Sequence, residues 1–394
     1  MNANAAVLPT EEGFEPAVIG WLKEALNRKV FDAVLIPVET PAQDSFAYLL
    51  LQDPAILDQA SPLPPIMPVQ GGKAIGRLTM RGTLNKRVAA VVRPCEARAA
   101  VELTKLKQAH LTNLSLITLD CPGVLPLSVY LEDPEAAGAH FAEAAAQGDR
   151  SPMRPTCQIC HRFSLAEAPA TDLHIGTLGN GDGAALIVPG SLDGERILEQ
   201  MGATKETKGA GQVPEMLERW SARVEELTAA QAERRAEAQA QLQEEVAGAD
   251  KLLDIFSTCI NCHNCQRVCP VCYCRQCYFE STALKLPPEN YLARAASRGA
   301  LRFAPDTLLF HLGRASHMAL SCVSCGACED ACPMDIPVGQ VFSLLADRAQ
   351  EALGYVAGRS IEDPLPLVAY EMDELHNVEQ PYLEIYREQE VQDA

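Results

Sequence analysis

One cysteine pattern occurs twice, as Cys259-Ile-Asn-Cys262-His-Asn-Cys265-Gln-Arg-Val-Cys269-Pro270 and as Cys322-Val-Ser-Cys325-Gly-Ala-Cys328-Glu-Asp-Ala-Cys332-Pro333. Two residues separate the first three cysteines of each motif, so their thiolates can converge on one iron–sulfur cube. The longer third gap sends the fourth cysteine elsewhere, and in two-cluster ferredoxins that cysteine ligates the other cluster. We therefore predict two 4Fe–4S clusters, one held by Cys259, Cys262, Cys265 and Cys332 and the other by Cys322, Cys325, Cys328 and Cys269.

Structural zinc is the alternative for cysteines at such spacing. Zinc sites favour two CxxC pairs or mixtures of Cys and His, whereas each motif here is a cysteine triad followed by a fourth cysteine and a proline. Three further cysteines, Cys272, Cys274 and Cys277, follow the first motif closely. Three interpretations stay open for them: the start of another cluster, for which no fourth ligand is evident, a replacement ligand, or packing beside the clusters.

Length and composition limit the class of protein. A chain of 394 residues, 47% of them hydrophobic, is long enough for two or three domains with ordinary cores. Its fifteen cysteines are mostly clustered at ligand spacing, and residues 1–15 contain no apparent signal peptide, so we expect a reducing cytoplasm. No apolar run reaches the roughly 18 residues of a membrane helix, so we expect no membrane span. The net charge of −19 disfavours a nucleic-acid partner.

Two predicted strands lead to cysteines. The apolar segment 87–92 leads to Cys95, residues 96–108 have helical spacing, and the apolar segment 114–119 leads to Cys121. A strand–helix–strand unit predicts parallel neighbouring strands. Both cysteines should then lie at the carboxyl edge of the sheet, where open α/β sheets bind their ligands.

A further cysteine pair, Cys157 and Cys160, follows a predicted helix at residues 134–147. Together with Cys95 and Cys121, this pair can complete a third 4Fe–4S site from three separate places in the chain. From the residues alone, three alternatives remain: buried cysteines that pack as small hydrophobes, half of a zinc site, or a redox pair.

Residues 71–110 are basic within an acidic chain. They contain nine Lys or Arg and two Glu, a local net charge of +7, with glycines between the cations. Backbone amides and cations of this kind suit a phosphate-bearing cofactor, although a solvated helix face would account for some of the charges. A glycine-rich loop at residues 176–183 is a second, weaker signal. We therefore predict cofactor contacts at Gly71, Gly72, Lys73, Arg77, Arg81, Arg93, Gly176 and Gly179.

A resemblance to a known family rests on Cys157-Gln-Ile-Cys160-His-Arg-Phe163, on the following Ala170-Thr-Asp172-Leu-His-Ile-Gly176-Thr-Leu-Gly179, and on Pro94-Cys95 and Cys121-Pro-Gly123. These segments resemble motifs of the beta subunits of coenzyme F420-reducing hydrogenases and F420-dependent formate dehydrogenases. Cys269-Pro-Val-Cys272-Tyr-Cys274-Arg-Gln-Cys277 is similar to the formate dehydrogenase branch in particular. The resemblance implies an N-terminal FAD domain whose own 4Fe–4S cluster is held by Cys95, Cys121, Cys157 and Cys160.

Three features depart from the family pattern. The family opens with Gly-Gly-x-x-Thr, where this chain has Glu15-Pro-Ala-Val-Ile19. Arg162 replaces an acidic residue, and Ser164 replaces a threonine. All three lie near the expected flavin or substrate pocket. The hydride carrier implied by the resemblance is coenzyme F420, with NAD(P) or a protein partner as alternatives.

The expected architecture is an α/β flavin domain followed by a mainly α-helical dicluster ferredoxin domain. Residues 1–212 form the first domain, residues 213–256 a solvated helical linker, and residues 257–355 the second domain. Helical spacing between the two cysteine motifs resembles the iron–sulfur subunits of succinate dehydrogenase and heterodisulfide reductase. Residues 356–394 form an acidic tail, and we expect residues 361–394 of it to be an exposed arm that lies on a partner subunit.

The cofactors and the resemblance together predict an oxidoreductase subunit. A flavin takes two electrons as hydride and releases them singly, whereas a 4Fe–4S cluster carries one electron at a time. We expect the beta subunit of a formate dehydrogenase or hydrogenase complex, whose partner is a molybdopterin, tungstopterin or nickel–iron catalytic subunit. The alternative is a non-enzymatic iron–sulfur adaptor that joins a catalytic subunit to a heterodisulfide-reductase-like partner.

Overall fold

The computed structural model describes residues 5–165, 171–179, 183–202, 210–281, 287–299 and 307–366. The strands are β1 Ala6–Pro9, β2 Ala33–Glu39, β3 Phe46–Leu51, β4 Val88–Val92, β5 Leu114–Leu119, β6 Leu173–Gly176 and β7 Ala184–Pro189. The helices before residue 210 are α1 Phe14–Asn27, α2 Gly71–Thr79, α3 Pro94–Lys105, α4 Leu127–Glu132, α5 Pro134–Gln147, α6 Pro155–Gln158 and α7 Leu192–Gln200. The later helices are α8 Val213–Val246, α9 Ala249–Ile255, α10 Asn264–Val268, α11 Pro288–Arg298, α12 Thr307–Met318, α13 Ala327–Asp330 and α14 Val338–Ala352.

The strands form one mixed sheet in the order β1-β7-β6-β5-β4-β2-β3. Strands β2, β4, β5 and β6 are parallel, so their carboxyl ends share one edge, and β1, β3 and β7 pair antiparallel with their neighbours. Strands β4 and β5 pair in parallel with Val91 opposite Ile117. This pairing confirms the predicted strand–helix–strand unit.

Apolar helix faces cover both sides of the sheet. Helix α1 buries Val18 and Leu22 against one face, and α2 and α3 bury Ile75, Ala97 and Ala100 against the other. Because both faces are covered, β4 is buried at every position and β5 at nearly every position, as is usual for parallel strands. The two layers hold the carboxyl edge of the parallel strands in place.

The basic, glycine-containing segment forms helix α2, although glycine is a poor helix former. Gly72 explains why glycine is used, because a Cβ there would lie 2.7 Å from Ala99 Cβ and 2.8 Å from the Glu96 carbonyl oxygen on α3. The missing side chain therefore permits close packing of two helices.

The prediction of a solvated linker is wrong for one face of α8. Near its start, α8 buries Trp220, whose indole N–H donates to Asp120 Oδ2 at 2.9 Å. Further along, it buries Arg235, whose Nε lies 2.6 Å from Asp347 Oδ2 on α14. One stripe of α8 thus packs on the sheet and then on the helical half of the molecule.

The described part of the C-terminal half is helical, as predicted. Its core contains Phe256, Phe310 and Phe342, which pack with Cys265 and Cys269. No helix among the described residues is both long and apolar enough to cross a membrane.

The segment just before the predicted exposed arm packs on α3. Ala357 is fully buried, and its carbonyl oxygen accepts a hydrogen bond of 2.9 Å from Arg98 Nε on α3. Tyr355 Oη donates to Glu102 Oε1 on the same helix at 2.6 Å. The remainder of the predicted tail, beyond residue 366, lies outside the described residues.

Candidate metal centres

The first predicted cysteine set lines one cavity of about 320 Å³, including some open solvent. The chain turns sharply between these cysteines because Asn261 and His263 adopt left-handed backbone, with φ of 54° and 61°. His311 Nε2 lies 3.4 Å from the Cys259 sulfur, and its ring stacks on Phe256. The structure thus brings together Cys259, Cys262, Cys265 and Cys332.

The second predicted set gathers around Cys269, which comes from the other motif. The thiols of Cys322, Cys325 and Cys328 each lie near that of Cys269. Gly326, with φ of 75°, turns the chain between the last two of these cysteines. The exchange of one cysteine between the motifs, which the spacing predicts, is therefore compatible with the fold.

The third set meets at the carboxyl edge of the sheet. Cys95 lies in the first turn of α3 directly after β4, and Cys121 directly follows β5, as predicted. The thiol of Cys160 lies near those of Cys157 and Cys121, and the thiol of Cys95 lies near those of Cys325, from the second set, and Cys121. Arg150, which precedes the Cys157 loop, connects it to the Cys121 loop, because its Nη2 donates to the Cys121 carbonyl oxygen at 2.8 Å.

Burial controls the protonation of these thiols. It raises the pKa of Cys265 and Cys322 to about 11 and that of Cys325 to about 12. Such thiols stay neutral at pH 7 by themselves, whereas a coordinating metal deprotonates a thiol outright. The sites therefore need a bound cationic centre before they carry thiolates.

Buried guanidinium groups face the thiols. Arg93 Nη1 lies 3.1 Å from the Cys121 sulfur, and Arg314 Nη1 lies 3.0 Å from the Cys265 sulfur. Both arginines are about nine-tenths or more buried, so their charges act in surroundings of low dielectric. They compensate negative charge at the cysteine sets.

Four buried polar atoms around the thiols have no hydrogen-bond partner within the described residues: Arg98 Nη2, Arg154 Nε, Thr156 Oγ1 and Arg314 Nε. A buried donor without a partner costs about 1–3 kcal/mol. Protein groups donate hydrogen bonds to the sulfurs of iron–sulfur clusters, and these bonds help to set the reduction potential. The spare donors therefore fit 4Fe–4S clusters at these cysteine sets.

No group of three or more His, Cys, Asp and Glu side chains in the described ranges is arranged to hold a single metal ion. Four thiolates on a 4Fe–4S cube each bind a different iron. They consequently stand farther apart than the ligands of one ion.

The sequence reasoning missed the roles of two arginines. Arg314 did carry a signal, because it lies four residues from both Phe310 and Met318 and so shares their buried helix face. Arg154 carried none, since its side-chain partners Cys325 and Asp330 are more than 170 residues away.

Comparison with known proteins agrees with the cysteine pattern. The family described as "4Fe-4S dicluster domain" matches residues 255–336. The F420-dependent formate dehydrogenase subunit beta of Methanocaldococcus jannaschii is 26% identical over 378 residues, 89% of this chain and 93% of that protein. The chain is thus similar to an F420-dependent formate dehydrogenase beta subunit over most of its length. The predicted resemblance is therefore confirmed.

Two further comparisons were found. The F420-dependent formate dehydrogenase 1 subunit beta of Methanococcus maripaludis is 27% identical over 376 residues, 88% of this chain and 92% of that protein. These relatives are oxidoreductase subunits, which confirms the predicted class. A chain of the xenon-derivatised F420-reducing [NiFe] hydrogenase complex from Methanosarcina barkeri is 12% identical, with a TM-score of 0.35 over 56% of this chain and 85% of that one. A similarity this low supports no argument.

The glycines predicted to bind a flavin phosphate on α2 are buried. A Cβ on Gly71 would lie 2.6 Å from Tyr48 Oη, and Gly72 packs against α3. Lys73 points towards the helical half, with its Nζ 3.4 Å from the Cys269 carbonyl oxygen. This part of the predicted cofactor contact is occupied by protein atoms.

The other predicted flavin residues do not join these in one site. Arg77 and Arg81 are exposed, whereas Arg93 is buried and donates to the Gly123 carbonyl oxygen at 3.0 Å. Gly176 and Gly179 pack against α8, where a Cβ on Gly176 would overlap the indole of the helix's tryptophan. The flavin contacts stay a prediction.

The three additional cysteines differ in exposure. Cys272 is half-buried near Cys269, and burial raises its pKa to about 12. Cys274 is exposed and Cys277 is half-buried. Their predicted role as ligands stays a prediction.

An open cleft of about 1170 Å³, including open solvent, borders two of the cysteine sets. His161 and Arg162, directly after Cys160, line one wall, and α8 and α14 form the other. Gln350 lines the same cleft and donates to the Cys322 carbonyl oxygen at 2.9 Å. The lining of the cleft thus includes a sequence neighbour of Cys160 and a side chain bonded to the Cys322 backbone.

Proposed function

We propose that this chain is the electron-transfer beta subunit of a cytoplasmic formate dehydrogenase or hydrogenase complex. It exchanges electrons between a molybdopterin, tungstopterin or nickel–iron catalytic subunit and a hydride carrier such as coenzyme F420. The observation that carries the proposal is that Cys259, Cys262, Cys265 and Cys332 line one cavity, while the other eight predicted ligands lie near one another. Similarity to F420-dependent formate dehydrogenase beta subunits over most of the chain supports it.

Three 4Fe–4S clusters and one FAD are the cofactors in this proposal. When bound, the flavin handles electrons in pairs as hydride and the clusters handle them singly. The ligand sets are Cys259, Cys262, Cys265 and Cys332; Cys269, Cys322, Cys325 and Cys328; and Cys95, Cys121, Cys157 and Cys160.

The chain's own residues adjust the surroundings of these sets. Arg93 and Arg314 bring buried positive charge within 3.1 Å of cysteine sulfurs, which favours the more negative, reduced state. The aromatic ring of Phe256 beside His311 keeps water from one side of the first set. We assign the approach of the hydride carrier to the cleft beside Cys160, where Arg162 offers positive charge.

A non-enzymatic iron–sulfur adaptor is the second candidate. The observation that favours it is the packing of protein atoms next to Gly71 and Gly176, where flavin contacts were predicted. In that case the N-terminal half holds no flavin, and the chain joins a catalytic subunit to a heterodisulfide-reductase-like partner.

Cofactor content distinguishes these functions. We expect anaerobically purified protein to contain about twelve irons, about twelve sulfides and one FAD. The double variant Cys157→Ala/Cys160→Ala should lose about four irons, because it removes two ligands of the third set. Arg196→Gln is the control, since it changes an exposed side chain on α7 that is not a predicted ligand and should lose no iron.

A different cofactor content would exclude the proposed function. About eight irons, no flavin and an unchanged Cys157→Ala/Cys160→Ala variant would exclude the three-cluster flavoprotein and support the adaptor. With twelve irons and FAD present, reduction of F420 by a chemically reduced viologen dye is compared with reduction of NAD(P)⁺ under the same conditions. Turnover of either carrier would exclude the adaptor.

A further inference from the structure

Arg154 is fixed by the loop that carries Cys157. It precedes α6, is 2% exposed, and its backbone N–H donates to the Val124 carbonyl oxygen at 2.8 Å. Its carbonyl oxygen accepts a hydrogen bond of 2.8 Å from the Cys157 backbone N–H. The backbone of Arg154 is thus hydrogen-bonded within the loop that carries the third cysteine set.

The side chain of Arg154 contacts the loop that carries the second cysteine set. Its Nη2 donates to the Cys325 carbonyl oxygen, and its Nη1 lies 2.8 Å from Asp330 Oδ2. The guanidinium also lies near the thiols of Cys157, Cys325 and Cys95. An arginine guanidinium keeps its positive charge at physiological pH.

The two loops also touch beside this side chain. Thr156, the neighbour of Cys157, lies so close to Gly326, the neighbour of Cys325, that a Cβ on the glycine would overlap Thr156 Oγ1. Two buried atoms at this junction, Arg154 Nε and Thr156 Oγ1, have no partner within the described residues. The junction therefore has donors to spare for groups bound on either side.

We propose that Arg154 is a positioning residue that joins the third cysteine set to the second one. Its hydrogen bonds form a continuous path from the Cys157 amide to the Cys325 carbonyl, and its single charge stabilises an added electron on either side. One electron leaves one side as it arrives at the other, and no bond or proton changes. The inference rests on the three cysteine sets of the proposed function.

Arg98 is a second cation near both sets, since it lies near Cys160, Cys95 and Cys322. Its side-chain hydrogen bonds lead only into the helical half, to the carbonyl oxygens of Ala357 and Val323. Arg154 differs because its backbone is bonded to the loop of the third set and its side chain to the loop of the second. It also has a carboxylate partner, so Arg154→Gln removes a positive charge and Asp330→Asn removes a negative charge at the same place.

Arg154→Gln, Arg154→Lys and Asp330→Asn test the proposal in the anaerobic holoprotein. Redox titration followed by electron paramagnetic resonance gives a midpoint potential for the cluster at each cysteine set. In Arg154→Gln we expect the equilibrium constant for reduction of the second and third sets to fall at least tenfold, about 59 mV for a one-electron couple. Asp330→Asn should shift both potentials upwards, and Arg154→Lys should shift them less than Arg154→Gln.

Two internal controls make the result specific. In Arg154→Gln and Arg154→Lys the potential of the first set, Cys259, Cys262, Cys265 and Cys332, should not move; Asp330 lies two residues from Cys332, so this control does not apply to Asp330→Asn. Arg196→Gln removes an equal charge from the exposed surface and should change none of the three potentials.

Unchanged potentials in Arg154→Gln, or equal shifts of all three sets, would overturn the role of Arg154. If Arg154→Gln loses iron, Asp330→Asn decides: an upward shift of both neighbouring sets supports the proposal, and no shift refutes it. About eight irons in the unmodified protein is a separate failure, because it removes the third set of the proposed function.

Discussion

Gly326 shows how single residues determine the fit between the two halves of the molecule. Its φ of 75° belongs to the left-handed region that favours glycine, and a Cβ there would overlap Thr156 Oγ1. Gly354 has a similar φ of 60°, but nothing lies within 4 Å of a Cβ there. Substituting alanine at Gly354 and at Gly326 therefore separates the cost of backbone strain, present at both positions, from the cost of a steric clash, present only at Gly326.

We predict that Gly354→Ala lowers stability by about 1–2 kcal/mol, the cost of the left-handed backbone. Gly326→Ala should cost about 1–3 kcal/mol more, because it also overpacks the junction. Thermal unfolding midpoints of the two anaerobic holoproteins give the comparison. Thr156→Ala should restore part of the loss in Gly326→Ala and none in Gly354→Ala; equal midpoints for the two glycine variants would refute the steric argument.

At this scale, spacing predicted a grouping of the eight dicluster cysteines with which the fold is compatible, but it did not predict what surrounds them. The gap before Cys269 and Cys332 shows locally that each fourth cysteine must point away from its own triad. Arg154 and Gly326 acquire their roles from contacts with residues about 170 positions away, for which a local pattern contains no information.

Among the elements, α8 departs most from its sequence-based description. Its composition predicts solvation, but its buried stripe ends in Arg235, which is bound to Asp347 on α14. Burial alone raises the pKa of Asp347, yet hydrogen bonds from Arg235 and Gln239 outweigh it and lower that pKa below 3.8. The ionised carboxylate therefore stabilises the packing of α8 on α14.

Asp347→Asn should lower the free energy of unfolding by about 1.5–3 kcal/mol at pH 7, the value of hydrogen bonds to a charged group. The pKa is lower in the folded state than in the unfolded one. The contribution is therefore complete above the unfolded-state pKa and is lost as the pH falls through the folded-state pKa. Thermal midpoints of the two proteins should thus differ equally from pH 8 to about pH 5 and converge at lower pH.

Glu351→Gln is the matched control on the same helix. Its partner is Arg348, and both side chains are more than half exposed. We expect a change within about 0.5 kcal/mol. An equal loss in Glu351→Gln and Asp347→Asn would mean that burial of the Arg235 pair has no special effect.

Elements with clear periodicity were predictable, and elements defined by packing were not. The strand at Leu114–Leu119 and the helix at Pro134–Gln147 have the predicted bounds. Strand β1 has only four residues and gains its partner from β7, far along the chain. Helix α2 contains three glycines, so its local propensity opposes the helix that packing against α3 stabilises.

At the scale of the whole molecule, helix α3 of the N-terminal half binds the segment that follows α14 in the helical half. Glu102 is fully buried, and its Oε1 accepts hydrogen bonds from Tyr355 Oη at 2.6 Å and the Gly358 backbone N–H at 2.7 Å. Lys105 Nζ lies 2.7 Å from the same oxygen. One buried carboxylate thus fastens two segments that are distant in sequence.

Glu102→Gln should be strongly destabilising, by about 3–5 kcal/mol, because it leaves the Lys105 ammonium buried without a counter-ion. Tyr355→Phe should cost less, about 1.5–3 kcal/mol, because it removes one hydrogen bond to a charged acceptor. The double variant Glu102→Gln/Lys105→Met should regain part of the loss, since no unpaired charge remains. Thermal midpoints give the ranking, and faster amide exchange at residues 353–358 would locate the effect. A double variant no more stable than Glu102→Gln would show that charge pairing is unimportant there.

The contacts of α3 also determine when the molecule can be completed during its synthesis. Tyr355, Gly358 and Ala357 follow their partners on α3 by 253, 256 and 259 residues. At roughly 5–20 residues per second, a ribosome needs roughly 10–50 s to supply them after α3 has emerged. Strands β5, β6 and β7 complete the sheet within that interval, but the surface around Glu102 remains open until residues 355–358 have been made.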